Sequence, residues 1–342
     1  MVETNQTKCD LALQLVSNPI YKLAMFWTFF VSLLATPGLL YFIVKKILPL
    51  SFHGNLKCLL TTYFLATFLY SIILVLTFGY HFLVPFFASS SCSLIIPVPL
   101  FKWGQILSLL LMTIPMIIPV GFSIERFVAI GMAHDYERVR TGLGPLLMVV
   151  LICADVIGIY NIYRNESFTD NFVSFILIPS TAAVQLNNFF WLLLYVDIFN
   201  FLCNSVLLTM HNYMKSRYLR QQSSLSLRYE MEEIYQSSMF TLIVSSVNLL
   251  FVGWYLTAIL IVRTIGQSFF NGYINYTVAR AVYVAVPTQN LLIVFVGLKS
   301  LRHLNTKRSS KIRSTVDIKS TGSEGMKNYE DAIAKYWDSV HV

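Results

Sequence analysis

The sequence predicts an all-α membrane protein: a bundle of seven transmembrane helices with the amino terminus outside and the carboxyl terminus cytosolic. Three observations carry that expectation. Seven apolar runs each approach or exceed about 20 residues, enough to cross roughly 30 Å of hydrocarbon. Lys and Arg crowd onto one alternating set of connections between the runs. Three Asn-x-Ser/Thr triplets fall on the other set.

The 342 residues are 56% hydrophobic and only 12% charged, with mean hydropathy +0.63 and a formal net charge of +8. That balance is too apolar for a soluble domain. The runs are 23–44, 59–80, 105–129, 143–163, 189–210, 239–262 and 278–298. Lipid offers backbone groups no partner, so spans of this length are expected to be helices, kinked where Pro37, Pro115, Pro119 and Pro287 interrupt them. Residues 1–18 are polar, with no basic leader before the long first run, so no cleavable signal is expected.

Charge sets the orientation. Nineteen Lys and Arg fall on the predicted inner side against six on the outer, namely Lys8, Lys22, Lys102, Arg164, Arg263 and Arg280. The triplets, with glycosylation acceptors Asn5, Asn165 and Asn275, are independent of that count and agree with it. The expected organisation is an extracellular segment at 1–21, a seven-helix domain at 22–300 and a basic, Ser/Thr-containing cytosolic tail at 301–342. In the tail, Leu298, Leu301 and Leu304 alternate with basic residues, as suits an interfacial helix. A polybasic run at 307–313 then faces anionic lipid, among phosphorylation candidates Ser309, Ser310, Ser314, Thr315 and Ser320.

Of five cysteines only Cys9 and Cys92 lie on the predicted outer side, so one disulfide is expected between them, the alternative being two free thiols. No metalloprotease, nucleophile-elbow, phosphate-loop or Cys-x-x-Cys motif occurs, and six histidines are scattered. No enzyme, catalytic residue, cofactor or metal site is expected.

Ionisable residues inside the spans are the candidates for function. Glu125 and Arg126 end the third run, where Glu125 would hold Arg126 as a latch on the inner face; the alternative is a snorkelling basic side chain. Asp155 and Asp197 sit near mid-bilayer, as ligand contacts or as hydrogen-bond partners of neighbouring helices. Arg280, beginning the seventh run, is placed with Asp197 among the ligand-cavity candidates. Trp103, Tyr160, Tyr163, Trp191, Tyr255 and Tyr273 fall near the outer boundary, where they read mainly as an interfacial belt.

Seven spans, an outer amino terminus and Glu125-Arg126-Phe127 at the inner end of the third together resemble a G-protein-coupled receptor. Rhodopsin-type hallmarks are missing: the seventh span reads Val286-Pro287-Thr288-Gln289-Asn290, the second lacks Asp, and the fourth-to-fifth connection lacks Cys. More specific segments resemble the nematode chemoreceptors called serpentine receptor class alpha. They are Cys9, Ser17 and Lys22; Phe52-His53-Gly54-Asn55-Leu56-Lys57; Ile124-Glu125-Arg126; Tyr136-Glu137; Leu143-Gly144; Pro179 with Asn187 or Asn188; and Leu225-Ser226-Leu227-Arg228-Tyr229. The chain departs from that pattern at Glu230 and Ile234, where Gln and Asn are expected.

The resemblance implies a chemosensory receptor of the plasma membrane, in the cilia of sensory neurons. Its expected partners are a small-molecule ligand, a heterotrimeric G protein, membrane lipids and, in an oligomer, a second receptor; no nucleic acid is expected. Glu125, Arg126, Arg228 and Tyr229 form the expected G-protein switch. The alternatives are a seven-span ligand-gated channel of inverted topology, a transporter, and an orphan neuropeptide receptor.

Overall fold

The computed structural model describes residues 2–132, 142–168, 172–220, 225–266, 269–316, 326 and 329–330, with the side chains of 2–7, 180, 214–220, 225–231, 305 and 307–316 excepted. It contains seven helices long and apolar enough to cross a membrane: Pro19–Ile47, Gly54–Phe87, Ser91–Gly131, Leu143–Tyr163, Ala183–Tyr213, Glu232–Ile265 and Tyr273–Leu304. No strand occurs among the described residues. The chain divides into two compact units, Met1–Gly297 and Leu298–Val342. In the second, Thr306 Oγ1 donates to the Arg302 carbonyl at 2.9 Å within a helix; the phosphorylation candidates lie outside its described side chains. The first unit is the bundle.

The bundle opens with a helix that hydropathy alone does not reveal. Helix α1 (Val2–Ser17) buries Cys9, Ala12 and Leu15, spaced three apart so that one stripe faces inward. Asn18 ends it and caps α2 (Pro19–Phe42): its side chain accepts from the Ile20 and Tyr21 amides at 3.0 and 3.2 Å, and Pro19 takes the first helical position. A π-helical turn, Ile43–Ile47, carries Lys45 and Lys46. Then follow α3 (Gly54–Phe87), α4 (Val98–Gly131), α5 (Leu143–Tyr163), α6 (Ala183–Arg220) and α7 (Leu225–Ile265).

The predicted seventh helix is broken instead of kinked. It is divided into α8 (Tyr273–Val282) and α9 (Val286–Val316), with Pro287 in the first turn of α9. Proline has no N–H to give to the preceding turn and its ring collides with that turn's carbonyl, but at a helix start neither costs anything. Pro37, Pro115 and Pro119 lie inside helices, as does Pro85 in α3, which runs a turn and more beyond the predicted span.

Helix α4 is the axis of the bundle. It touches α3, α5, α6 and α7, and 67% of its most apolar window is buried against 17% for α5. The outward faces carry Val149, Val150, Val156, Ile157 and Tyr160 on α5, and Leu192, Tyr195, Phe199 and Leu202 on α6, as a lipid solvent requires. At one point α3 and α5 meet backbone to backbone. A Cβ on Gly144 would lie 2.4 Å from the Asn55 carbonyl oxygen, while the Gly144 amide donates to Asn55 Oδ1 at 3.0 Å.

Candidate functional site

The two ends of the bundle are built differently. At one end the Cys9 and Cys92 sulfurs are bonded, joining α1 to a short helical turn, Ser91–Leu94. The connection from α5 to α6 folds over this end as a plug. Phe172, Val173, Ser174 and Leu177 are buried, and the Phe172 ring stacks on Phe101 with centroids 3.8 Å apart. Side chains hold its backbone. The Phe175 amide donates to His81 Nε2 at 2.9 Å, Gln105 Nε2 donates to the Phe175 and Leu177 carbonyls, and Tyr21 donates its hydroxyl proton to Ser174 Oγ at 2.9 Å.

Beneath the plug lies a cavity of about 90 Å³. Its wall takes residues from α3, α4, α5, α6, α7 and α8, including Tyr70, Phe78, Gln105, Phe190 and Tyr255, and both Arg263 and Arg280. Arg280 is 5% exposed. Its Nη2 donates to the Ile176 carbonyl of the plug, its guanidinium stands 5.6 Å from the Tyr276 ring centroid, and its Nε is buried without a partner. Arg263 Nη1 donates to Asn187 Oδ1 at 2.6 Å, with the guanidinium 5.4 Å from the Phe190 ring centroid. A larger cavity of about 230 Å³ is lined only by α1, α2 and α3, through Val16, Tyr21, Lys22, Met25, His81, Phe82, Pro85 and Phe86. A ligand there would miss α6 and α7, so the smaller cavity is the better placed to bias the packing of the whole bundle.

The opposite end is held by polar contacts. Arg126 is 2% exposed and Glu125 fully buried. Arg126 Nε and Nη2 donate to the two Glu125 carboxylate oxygens at 2.5 and 2.6 Å, and Nη1 donates to Ser237 Oγ on α7. The fork of one guanidinium thus spans α4 and α7. Above it, Ser123 Oγ is 2.5 Å from Asn200 Oδ1 and accepts from Asn204 Nδ2 at 2.8 Å, tying α4 to α6. Higher still, Asn248 Nδ2 donates to both Asp197 oxygens at 3.2 and 3.3 Å, and Gln289 Nε2 donates to Asn248 Oδ1 at 2.8 Å. These three join α6, α7 and α9.

The predicted site residues therefore separate. Glu125 and Arg126 are together, whereas Asp197 and Arg280 are not: Arg280 lines the cavity and Asp197 belongs to the interhelical network. Asp155 accepts from Thr113 Oγ1 at 2.8 Å, between α5 and α4. Arg228 and Tyr229 fall within α7, but their side chains lie outside the described set; so does that of Asn5 in α1. Tyr136, Glu137 and the rest of the loop at 133–141 are also outside it. Asn165 is exposed after α5, and Asn275 is exposed in the first turn of α8, where the Thr277 hydroxyl donates to the Tyr273 carbonyl at 2.8 Å. Arg263, counted in the sequence among the six outer-side cations at a helix end where it could face a cavity or snorkel, is the second arginine of the cavity. Its signal was present: it ends the sixth apolar run as Arg280 begins the seventh. Among the described residues no cluster of His, Cys, Asp and Glu suited to a metal ion occurs.

Residues 17–252 match the family described as serpentine type 7TM GPCR chemoreceptor Srb. Over 344 aligned residues the chain is 56% identical to serpentine receptor class beta-12 of Caenorhabditis elegans, covering 100% of this chain and 98% of that protein. It is 55% identical to class beta-1 of the same organism, covering 98% of each, and 32% identical to class beta-7, covering 97% and 94%. The expected class alpha is thus corrected to class beta. Glu230 and Ile234, the two departures from the class alpha pattern, follow the Leu225-Ser226-Leu227-Arg228-Tyr229 match. A bundle of seven membrane helices, matched over most of its length by this family and over nearly all of it by class beta receptors, belongs to the serpentine type 7TM GPCR chemoreceptor Srb family.

Proposed function

We propose that the chain is a chemosensory receptor that binds a small environmental chemical in the cavity beneath the plug and signals through a heterotrimeric G protein. The observation that carries this reading is Arg126, buried at the far end of α4 and shared between Glu125 on its own helix and Ser237 on α7. Taking a guanidinium out of water is costly, so its partners must all be in place, and the arrangement has a natural alternative. When α7 moves away, Arg126 loses the Ser237 acceptor and turns its fork toward carbonyls of an incoming partner helix. A ligand touching α3 to α8 shifts that balance by its preference for the open form.

In this reading the plug faces outside, with the three glycosylation acceptors at the same end, and the Glu125–Arg126 end faces the cytosol beside Arg228 and Tyr229. The protein then works at the plasma membrane, in the cilia of sensory neurons. The test is reconstitution of the full chain in vesicles with purified heterotrimers and a panel of small organic molecules. Ligand-stimulated guanine-nucleotide exchange without ion flux is the expected result; ligand-gated ion flux without exchange would replace the receptor by a channel.

A further inference from the structure

The cavity beneath the plug has an unbalanced charge. Two of its lining residues are arginines, and among the described residues no carboxylate lines it. Neither Arg263 nor Arg280 forms an ion pair among the described residues: Arg263 donates to the neutral Asn187 carboxamide and Arg280 to the Ile176 carbonyl. Arg280 is more than nine-tenths buried, and its Nε has no hydrogen-bond partner at all. Two guanidiniums beside one small, partly apolar space repel each other, and each gives up hydration that neutral acceptors replace only in part.

Buried charges in proteins are paired. Here the described side chains that line the cavity with the arginines do not supply the counter-charge. Tyr255 and Phe190 line the same space, and Tyr276 lies against Arg280; these are apolar or neutral walls, suited to the body of an organic molecule. We infer that the ligand of this cavity is a small carboxylate, its anionic group held by Arg280 with Arg263 and its apolar part against the aromatic wall. The planar fork of an arginine matches a carboxylate in two parallel hydrogen bonds, and both Arg263 and Arg280 line this space. Size limits the body. The volume of about 90 Å³ is below the roughly 150 Å³ that holds a benzene molecule, so short-chain acids fit and large ones do not.

The carboxyl end of the ligand would also explain how binding reaches the rest of the bundle. Arg263 ends α7, the helix that holds Ser237 against Arg126, and Arg280 lies on α8 and grips the plug through Ile176. Drawing both arginines onto one anion moves α7 and α8 relative to each other, whereas a neutral molecule in the same space gives no such pull.

This inference rests on the receptor reading only in taking the cavity for the ligand site, and binding is therefore measured apart from signalling. The full chain in lipid nanodiscs is titrated by calorimetry with straight-chain carboxylates from acetate to hexanoate, and with the alcohols and methyl esters of the same chains. At least one acid is expected to bind saturably, with its alcohol and ester at least tenfold weaker, a difference of ~1.4 kcal/mol. Arg280→Gln and Arg263→Gln should each weaken that acid tenfold or more, and Arg280→Lys, which keeps the charge and loses the planar fork, should fall between wild type and Arg280→Gln. Thermal unfolding of each variant checks that the bundle is intact. Equal binding of acid and alcohol, equal binding by wild type and a correctly folded Arg280→Gln, or no saturable binding of any acid would overturn the inference. Acid binding without nucleotide exchange would leave the anion site standing and overturn the receptor reading instead.

Discussion

The end of the bundle under the plug and the end holding Arg126 use opposite means to stay closed. The first is fastened by a disulfide, a stacked Phe101–Phe172 pair and backbone groups of the plug pinned by His81, Gln105 and Tyr21. The second is fastened by a guanidinium shared between two helices and by asparagine and serine side chains. Aromatic packing and a covalent link have one good arrangement, whereas a charged fork can trade one set of oxygens for another with little loss. In the proposed reading, the first end keeps its shape and the second changes it. A recognition site needs a constant wall; an output face needs two states close in free energy.

The contrast can be broken from either side, and the largest expected effect is at the polar end. Glu125→Ala would leave Arg126 buried without its carboxylate, a loss of about 3–5 kcal/mol that either unfolds the end or releases the arginine. Limited proteolysis and thermal unfolding should both show it. Cys92→Ser removes the link across 83 residues and is expected to cost about 2–4 kcal/mol. Its effect should appear as lowered thermal stability and poor surface delivery, without raised basal signalling.

Smaller changes sharpen the comparison. Gly144→Ala forces a methyl into the Asn55 backbone and should cost about 1–3 kcal/mol, read as a lower melting temperature. Tyr21→Phe removes the hydroxyl that holds Ser174 of the plug, a loss of about 1 kcal/mol. If the plug is a fixed wall, that variant should exchange the plug amides faster in hydrogen-exchange measurements and leave the amides near Ser237 unchanged.

The spans were legible because hydrocarbon is an unforgiving solvent: a run such as 143–163 must be long, apolar and helical, and α5 has those bounds. Helix α1 was less legible because its fully buried stripe among the described side chains, Cys9, Ala12 and Leu15, is too narrow to raise hydropathy, though its three-residue spacing was there to find. The break before α9 turns on where Pro287 falls relative to a helix start, which hydropathy does not encode. Site residues divide in the same way. Glu125 and Arg126 are neighbours in the chain and could be paired on paper. Arg263 and Arg280 face one cavity only because α7 and α8 fold back beside each other, and Asp197 meets Asn248 because α6 packs on α7.

The central claim is that Glu125 restrains Arg126 and that Arg126 carries the signal. It is tested most directly by basal guanine-nucleotide exchange on a heterotrimer, measured for Glu125→Gln and Arg126→Ala against wild type at matched surface density. The account predicts opposite signs: exchange rises severalfold in Glu125→Gln, whose neutral amide holds the guanidinium less tightly, and disappears in Arg126→Ala. Unchanged exchange in both variants, or a shift of both in the same direction, would contradict it.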